Sequence, residues 1–423
     1  MVEGEKKVLL LGSNYIAANT ALQLMGMWKD EPRRNRDENL KLTVIDVDQP
    51  DLIFMHPKLA RFEGHEALKR KQVSQWDFSY LLAEEFRDYD AIINCSMIDD
   101  SVYSSLNPVK TVLANQTFVT QLMDCLRKID FAGRLIHVSS YHAYGRLEPR
   151  KFTHEPVEET EEPRPYGTRS ASILATETMI RGMASLYGTR WIILRLGTLF
   201  GDYVPQMKAL YNWTKSMMLR ENLFVYEPNR VLKPFSDGMS SRDFVHEYDV
   251  TRAMRKLVED PYCDDLNVDN EIYNIGGMGA TANGEIFISN TAIAIKQIFK
   301  PWNPEAKLIF KGWRTPEEEG LRIWMSSKKA DKKFGWSADK DMLYATKATS
   351  YFIAQYDLGW DIETLHDFKK NGTGDIDAGL EMAVAAKKGK FSETGVSKEM
   401  LGSFDRAAQQ VGSTKSEKEN EDE

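Results

Sequence analysis

Cysteine is scarce. The chain has three in 423 residues, Cys95, Cys125 and Cys263, far apart, odd in number and in no metal-ligand spacing. That argues against a disulfide framework or a metal site, and points to a reduced, cytoplasmic protein. Long apolar runs are also lacking. None approaches the roughly 20 residues needed to cross a bilayer, and Met1 to Lys7 lacks the charged-then-apolar layout of a signal peptide. Positive charge is in deficit: 55 Lys and Arg against 63 Asp and Glu leave a net charge of -8. A general binder of nucleic acid or of an acidic membrane needs the opposite balance. A local basic pocket for a diphosphate remains compatible with that sum. The sequence has no internal repeat and no heptad run.

What is present is ordinary globular composition, 42% hydrophobic and 28% charged, arranged in alternation. Short runs rich in Val, Ile and Leu fall at Lys7–Leu11, Lys41–Asp46, Asp90–Cys95, Arg134–Ser139 and Arg190–Leu196. They show no polar alternation, as strands covered on both faces do. Helix-like segments lie between them: Ala17–Trp28, Phe78–Phe86, Asn107–Ile129 and Tyr166–Tyr187. The fold class expected is α/β, a Rossmann-type doubly wound parallel sheet with a smaller C-terminal substrate lobe. Lys29–Asn39 is a charged insertion, read first as a solvated loop and second as a partner-binding one. Past Gly201 the expected helices are Met207–Arg220, Asp249–Glu259 and Ala292–Phe299. The domain limits expected are 1–200 for the Rossmann unit, 201–358 for a lobe whose segments return to it, 359–412 for a polar helical extension, and 413–423 for an acidic tail. That tail has no apolar residue, a composition that favours disorder.

The first strand runs into Gly12-Ser13-Asn14-Tyr15-Ile16-Ala17-Ala18. A dinucleotide turn uses three glycines: for the tight bend, for close approach to the pyrophosphate, and for helix packing. Only Gly12 is present. Ala18 can stand for the third; Tyr15 holds the middle place, or a one-residue deletion has removed it. Asp46 ends the second strand, where a carboxylate accepts from a ribose diol and repels a 2′-phosphate, favouring NAD over NADP. The plain alternative is a loop-starting residue. Asp77 falls where an adenine contact would lie, and could equally cap the next helix.

Further along come Ser139-Ser140-Tyr141-His142-Ala143-Tyr144-Gly145, then Pro165-Tyr166-Gly167, then Leu194-Arg195-Leu196-Gly197-Thr198-Leu199-Phe200-Gly201. After them stand Arg242-Asp243-Phe244-Val245-His246 through Asp249-Val250, Tyr273-Asn274-Ile275-Gly276-Gly277, and the stretch from Arg322 to Trp336. This ordered set, over roughly residues 5–355, resembles the extended short-chain dehydrogenase/reductases of the NAD-dependent epimerase/dehydratase type, which act on nucleotide-sugars. The resemblance implies NAD as cofactor and a nucleotide-sugar as substrate. It implies a tyrosine base, a neighbouring Ser or Thr, and a lysine four residues after the tyrosine that holds the nicotinamide ribose and lowers the tyrosine pKa.

Carried onto this sequence, Tyr166 and Ser140 take the first two roles. Position 170 is serine, not lysine, and Arg169 is the nearest cation. The cofactor-facing set implied is Gly12, Asn14, Tyr15, Ile16, Asp46, Asp77, Phe78, Cys95, Ser96, Asn115 and Ser170. Arg242 and Arg322 match positions near the nucleotide diphosphate, which a forked guanidinium suits; surface ion pairs are the plain alternative for each. Asn274 is either a site residue or a structural one. His137, His142 and His246 are too scattered for a metal site. Tyr141 and His142 follow Ser140 where a dehydratase carries an acid pair, so epimerase-like chemistry is favoured over dehydration. Read alone, Ser139 and Ser140 could simply end a strand, and Tyr166 could be a packed aromatic. The rival reading is therefore a catalytically silent Rossmann protein that binds a nucleotide or a partner. The resemblance also implies a homodimer through Asn107–Ile129 and Tyr166–Tyr187. The extension after Gly359 is a candidate docking segment.

Overall fold

The computed structural model describes residues 6–12, 14–26, 40–48, 68–74, 86–146, 155–201, 208–226, 240–259, 267–277, 286–319 and 321–340, with 346, 349–350, 353–354, 358–361 and 364. Its centre is a seven-stranded sheet in the order β10-β6-β5-β4-β1-β2-β3, every pair parallel. The strands are β1 (Lys6–Leu11), β2 (Leu40–Asp48), β3 (Leu68–Ser74), β4 (Ala91–Asn94), β5 (Arg134–Ser140), β6 (Arg190–Leu196) and β10 (Glu271–Ile275). The order reverses between β1 and β4. At such a switch point the connections leave to opposite faces and open a crevice at the carboxyl ends of the strands.

The apolar runs form strands because both faces are covered. Val8, Leu9, Leu10 and Leu11 have no exposed surface. Val8 and Leu10 join the core under α1 (Tyr15–Leu24), while Leu9 and Leu11 join the other. Burying one such side chain stabilises the fold by about 1.5–3 kcal/mol. The second core is closed by α3 (Pro108–Val112), a π-helical turn (Leu113–Thr117) and α4 (Phe118–Lys128), which follow one another without a break after α2 (Ser101–Leu106). Over them lies α5 (Gly167–Tyr187), which ends at Gly188 in the left-handed conformation. Strand β3, sequence LKRKQVS, was not expected: its lysines and arginine hide the apolar signature at the sheet's edge. The segment expected as helix over Phe78–Phe86 lies, but for Phe86, outside the described residues.

A two-stranded parallel pair, β7 (Thr198–Phe200) with β9 (Phe244–His246), leads out of the sheet and back. The lobe holds α6 (Ala209–Met218), β8 (Leu223–Val225), α8 (Ile288–Ile298) and β11 (Leu308–Phe310), with β8 and β11 paired. Trp213, Met217, Leu223, Ile295 and Phe299 form its core. Trp360 packs on Trp302 with ring centroids 6.1 Å apart, so this core extends past residue 358. Meanwhile α7 (Glu247–Glu259) returns to the main unit, where Asn19 Nδ2 donates to Glu247 Oε2 at 3.0 Å. Helix α9 (Lys328–Phe334) closes the sheet, Phe334 standing edge-on to Tyr273.

Candidate active site

The crevice is lined first by the β1–α1 turn. Gly12 has φ +111, and a Cβ there would sit 3.2 Å from Ser96 N and 3.3 Å from the Cys95 carbonyl carbon. The bare backbone therefore lets the ends of β1 and β4 close on each other. Asn14 caps α1: its Oδ1 accepts from Ala17 N at 3.0 Å and its Nδ2 donates to Cys95 O at 2.6 Å. Tyr15 is half-buried and Ile16 buried. Burial holds the Tyr15 hydroxyl well above its ordinary pKa, and the nearby Asp99 and Glu247 carboxylates push it the same way. The Cys95 thiol is buried and its pKa raised for the first of those reasons. Ser96 turns inward, its Oγ donating to Asn94 Oδ1 at 2.5 Å.

The tight glycine turn at the switch point and the helix end behind it fit the pyrophosphate half of a dinucleotide. Asn14 already occupies the Ala17 N–H, so fewer backbone donors face a ligand than a helix end usually offers. Asp46 lies on β2 with its side chain outside the described residues, and Asp77 and Phe78 lie outside them altogether. Asn115 braces the protein's own loop. Its Oδ1 accepts from Ile98 N at 2.7 Å, and its Nδ2 donates to Ile98 O and to Ser172 Oγ, both at 3.0 Å.

Past β5 the chain turns through a 3-10 segment, Tyr141–Tyr144, into Gly145. Gly145 has φ +67, and a Cβ would come within 1.9 Å of Arg164 O; only glycine lets the loop pair with Arg164 there. Tyr144 is tied to the fold, its hydroxyl donating to Asn274 Oδ1 at 2.8 Å, while Asn274 Nδ2 donates to Val157 O at 3.0 Å. Asn274 thus takes the structural role.

Ser140 Oγ donates to Asp99 Oδ2 at 3.1 Å and accepts from His142 N at 3.4 Å. Asp99 Oδ1 lies 3.9 Å from His142 Nε2 and 3.9 Å from Arg169 Nη1. Arg169 is 6% exposed. Burial raises the Asp99 pKa, and the Arg169 and Lys208 cations and the Ser140 hydrogen bond oppose it. His142 is held neutral, its pKa pushed well below the ordinary value by burial and then by Arg169, Arg242 and Lys208. The Tyr141 hydroxyl accepts from Thr198 Oγ1 at 3.1 Å, and burial raises its pKa, with Arg242 the chief opposing charge.

Tyr166 stands elsewhere. It is the residue before α5, 41% exposed, its ring under the Arg146 guanidinium at 4.0 Å. It makes no hydrogen bond with Ser140, so the structure does not bring these two expected partners together. The physical reason is where the helix begins. Seven residues before Ile173, a helical Tyr166 would share the buried face of Arg169, Ile173 and Glu177, but it is the N-cap, with an extended backbone (φ −133, ψ 113) that takes its ring off that face. Four residues on, at tyrosine–lysine spacing, stands Ser170. Ser170 is buried, and its Oγ donates to His142 O at 2.7 Å, fastening the helix to the 3-10 turn.

Arg242 and the segment of Arg322 do meet. Arg242 Nη1 donates to Ser241 O at 2.8 Å and to Leu321 O at 2.9 Å; Arg322 lies over the Phe287 ring at 5.5 Å. The sequence reading missed Asp99 and Lys208. An acidic pair, Asp99-Asp100, directly follows the Asn-Cys-Ser end of an apolar strand, and that was the available signal. Among the described residues no group of three or more His, Cys, Asp or Glu is placed to hold a metal ion, and no helix is long and apolar enough to cross a membrane.

A parallel sheet with a crevice at its switch point, and a serine and a carboxylate inside, is found in many enzymes. The comparison that decides is with a family model: residues 62–276, just over half of the chain, match the NAD dependent epimerase/dehydratase family. The chain belongs to that family. Relatives include an uncharacterised protein of Methanocaldococcus jannaschii, 23% identical over 78% of this chain and 91% of its own length. A putative UDP-glucose 4-epimerase of the same organism is 26% identical over 61% of this chain and 74% of its own. Among solved structures, a UDP-glucuronic acid 4-epimerase from Bacillus cereus, in complex with UDP-glucuronic acid and NAD, superposes with a TM-score of 0.67 at 18% identity. That superposition covers 82% of this chain and 99% of the other. A dTDP-glucose 4,6-dehydratase from Streptomyces venezuelae gives 0.66 at 19%, covering 84% and 99%. The Rossmann-type fold is shared with both.

Proposed function

We propose that the protein is a nucleotide-sugar enzyme of its NAD-dependent family, with epimerase-like hydride transfer at a sugar carbon. The observation that carries this is Ser140 at the end of β5, hydrogen-bonded to the half-buried Asp99 carboxylate inside the switch-point crevice. When bound, NAD supplies the hydride acceptor and donor. The residues that would hold it are the Gly12 turn and the end of α1 for the pyrophosphate, and Asp46 for the adenosine ribose. Arg242 and Arg322 lie together on the lobe side and suit the diphosphate of a nucleotide-sugar. Tyr141 and His142, one with a raised and one with a lowered pKa, offer no acid pair for dehydration.

A second reading, a silent nucleotide-binding protein, is favoured by one observation: Arg169 and Ile173 occupy the site-facing face of α5, and Tyr166 is exposed. One experiment separates the two. The purified protein is denatured, its released nucleotides are identified, and the apo form is titrated with NAD. UDP-glucose, UDP-glucuronic acid and dTDP-glucose are then offered to the loaded protein. Bound NAD or micromolar affinity, with turnover of one sugar, supports the enzyme. Absence of NAD binding overturns hydride transfer and leaves the silent reading.

A homodimer is part of the same proposal. A groove of about 590 Å³ on the outer face of α5 is lined by Ala171, Leu174, Ala175, Met179 and Leu186. Beside it Val109 is 70% exposed and Leu186 72%. Paired with the same face of a second copy, these helices would bury that surface.

A further inference from the structure

We infer that the crevice takes a nucleotide-sugar whose sugar carries a carboxylate, a uronate, and that Arg169 with Lys208 selects it over a neutral sugar. The inference rests on the nucleotide-sugar reading and narrows its substrate class. It is independent of which group removes the proton.

The observation is a concentration of positive charge beside Ser140, in a chain whose net charge is -8. Arg242 and the segment of Arg322 meet on the lobe side, where Arg242 Nη1 donates to Leu321 O at 2.9 Å. A diphosphate held there accounts for those two. It does not account for Arg169 and Lys208. Arg169 Nη1 stands 3.9 Å from Asp99 Oδ1, and Asp99 Oδ2 accepts from Ser140 Oγ at 3.1 Å. Lys208, the cap residue ahead of α6, acts on the same carboxylate. His142, whose Nε2 is 3.9 Å from Asp99 Oδ1, lies where the fields overlap: the charges that act on its ring are all cations, Arg169, Arg242 and Lys208.

Asp99 is the carboxylate set among these cations. Asp100, next in the chain, is turned to α2, where its Oδ1 accepts from Tyr103 N at 2.7 Å. Burial keeps the Tyr141 hydroxyl protonated and the His142 ring neutral, so neither adds negative charge. The hydroxyls of a neutral hexose would leave this field as it is, whereas one carboxylate offsets it.

Arg169 is 6% exposed, and a buried cation is costly unless it is paired and hydrogen-bonded. The Asp99 oxygen it faces is beyond hydrogen-bond length, so the two attract without a hydrogen bond between them. The Asp99 side chain is 30% exposed, and a ligand group that reaches it enters the field of Arg169. A carboxylate suits that place better than a phosphate: it brings a single charge, and its two oxygens match the planar fork of a guanidinium. Set on the sugar, it would stand beside Ser140 while the diphosphate occupies the lobe side.

The test is calorimetric binding to the full chain at saturating NAD. Glucose and glucuronic acid are each offered as the UDP and the dTDP conjugate, to the wild type and to Arg169→Gln, Arg169→Lys and Lys208→Gln. The glucuronic acid form is expected to bind about tenfold or more tightly than the glucose form on the same nucleotide, the worth of a charge-assisted hydrogen bond. Arg169→Gln should erase that preference and leave the Kd of the glucose form unchanged, which also reports an intact fold. Arg169→Lys keeps part of the preference, and Lys208→Gln reduces it. Equal affinity for the two sugars, or tighter binding of glucose, overturns the proposal and leaves the nucleotide-sugar reading standing. So does a preference that survives both Arg169→Gln and Lys208→Gln. A weakened Kd for NAD in Arg169→Gln, with the sugar preference intact, also overturns it and makes Arg169 a cofactor-holding residue. Binding of none of the four conjugates fails the nucleotide-sugar reading itself and takes this proposal with it.

Discussion

Two adjacent serines at the end of β5 each donate to a carboxylate, one buried and one half-buried, and the two carboxylates are in opposite states. Ser139 Oγ donates to Glu177 Oε1 at 2.5 Å. Glu177 is also gripped by Arg195, with Nη2 2.6 Å from Oε2 and Nε 3.0 Å from Oε1, and both side chains are almost without exposure. Ser140 meets Asp99, whose side chain is 30% exposed and from which the Arg169 guanidinium stands 3.9 Å off. Alternation along a strand sends neighbours to opposite sides. One side carries a carboxylate whose two oxygens are both bonded and which joins α5 to β6; the other carries a carboxylate left partly unsatisfied at a crevice. A fully partnered charge holds a fold, whereas one with spare hydrogen-bonding capacity can exchange a proton.

The largest effect should come from breaking the saturated side. Arg195→Ala leaves Glu177 buried without its cation and is expected to cost about 3–5 kcal/mol in denaturant unfolding. The double variant Glu177→Leu with Arg195→Met replaces the pair by apolar groups and should recover most of that loss. If the double variant is as unstable as the single one, the hydrogen bond from Ser139 and the stacking of Arg195 on the Tyr144 ring carry more than the charge.

The same strand supplies the next effect. His137, two residues before Ser139, is buried behind Asn94, and burial lowers its pKa to about 4. The unfolded chain binds its proton near pH 6.5, and the folded one does so only near 4. Stability is therefore complete above about pH 6.5 and falls as the pH drops toward 4, by on the order of 3 kcal/mol. His246, lowered to about 3 by burial and Lys340, adds to the same window. Urea midpoints at pH 7 and pH 5 measure it, and His137→Asn should flatten the slope.

Asp99 should behave with the opposite sign. Its folded pKa is raised, so the folded state binds the proton more tightly than the unfolded. That contribution is present below the unfolded carboxylate pKa and is lost as the pH rises through the folded one. At neutral pH the charged Asp99 is a cost, and Asp99→Asn is expected to stabilise the protein by on the order of 1 kcal/mol, the usual scale for removing a functional charge. The gain should vanish at low pH. A loss of stability at pH 7 would make Asp99 a structural partner like Glu177 and erase the contrast between the two serines.

How much of this could be read from sequence follows from where the signal resides. The sheet was legible in Val8–Leu11, Arg134–Ser140 and Arg190–Leu196 because burial on both faces demands unbroken apolar runs. Strand β3 was not, since an edge strand tolerates Lys69, Arg70 and Lys71. At the site, Gly12 and Ser140 were legible because a tight turn and a strand end leave local marks. Asp99 was not, because its contact with Ser140 depends on the ends of the neighbouring strands β4 and β5 coming together. Neither was the start of α5. Four-residue spacing from Tyr166 leads to Ser170, whose hydroxyl is spent on His142 O, and the helix opens only after Tyr166, whose backbone is extended.

That extended cap gives the smallest and most discriminating prediction. Tyr166 precedes the helix, is 41% exposed, and touches the protein chiefly through Arg146 stacked on its ring. Tyr166→Phe keeps the stacking face and removes only a hydroxyl that no described hydrogen bond uses. Stability should change by less than about 0.5 kcal/mol, and Tyr166→Ala by about 0.5–1 kcal/mol through the lost cation–π contact. The check is a pair of denaturation curves at pH 7. A cost above about 2 kcal/mol for Tyr166→Phe would require the hydroxyl to be buried and bonded, as it becomes if α5 starts one residue earlier: seven residues before Ile173, a helical Tyr166 faces inward beside Arg169.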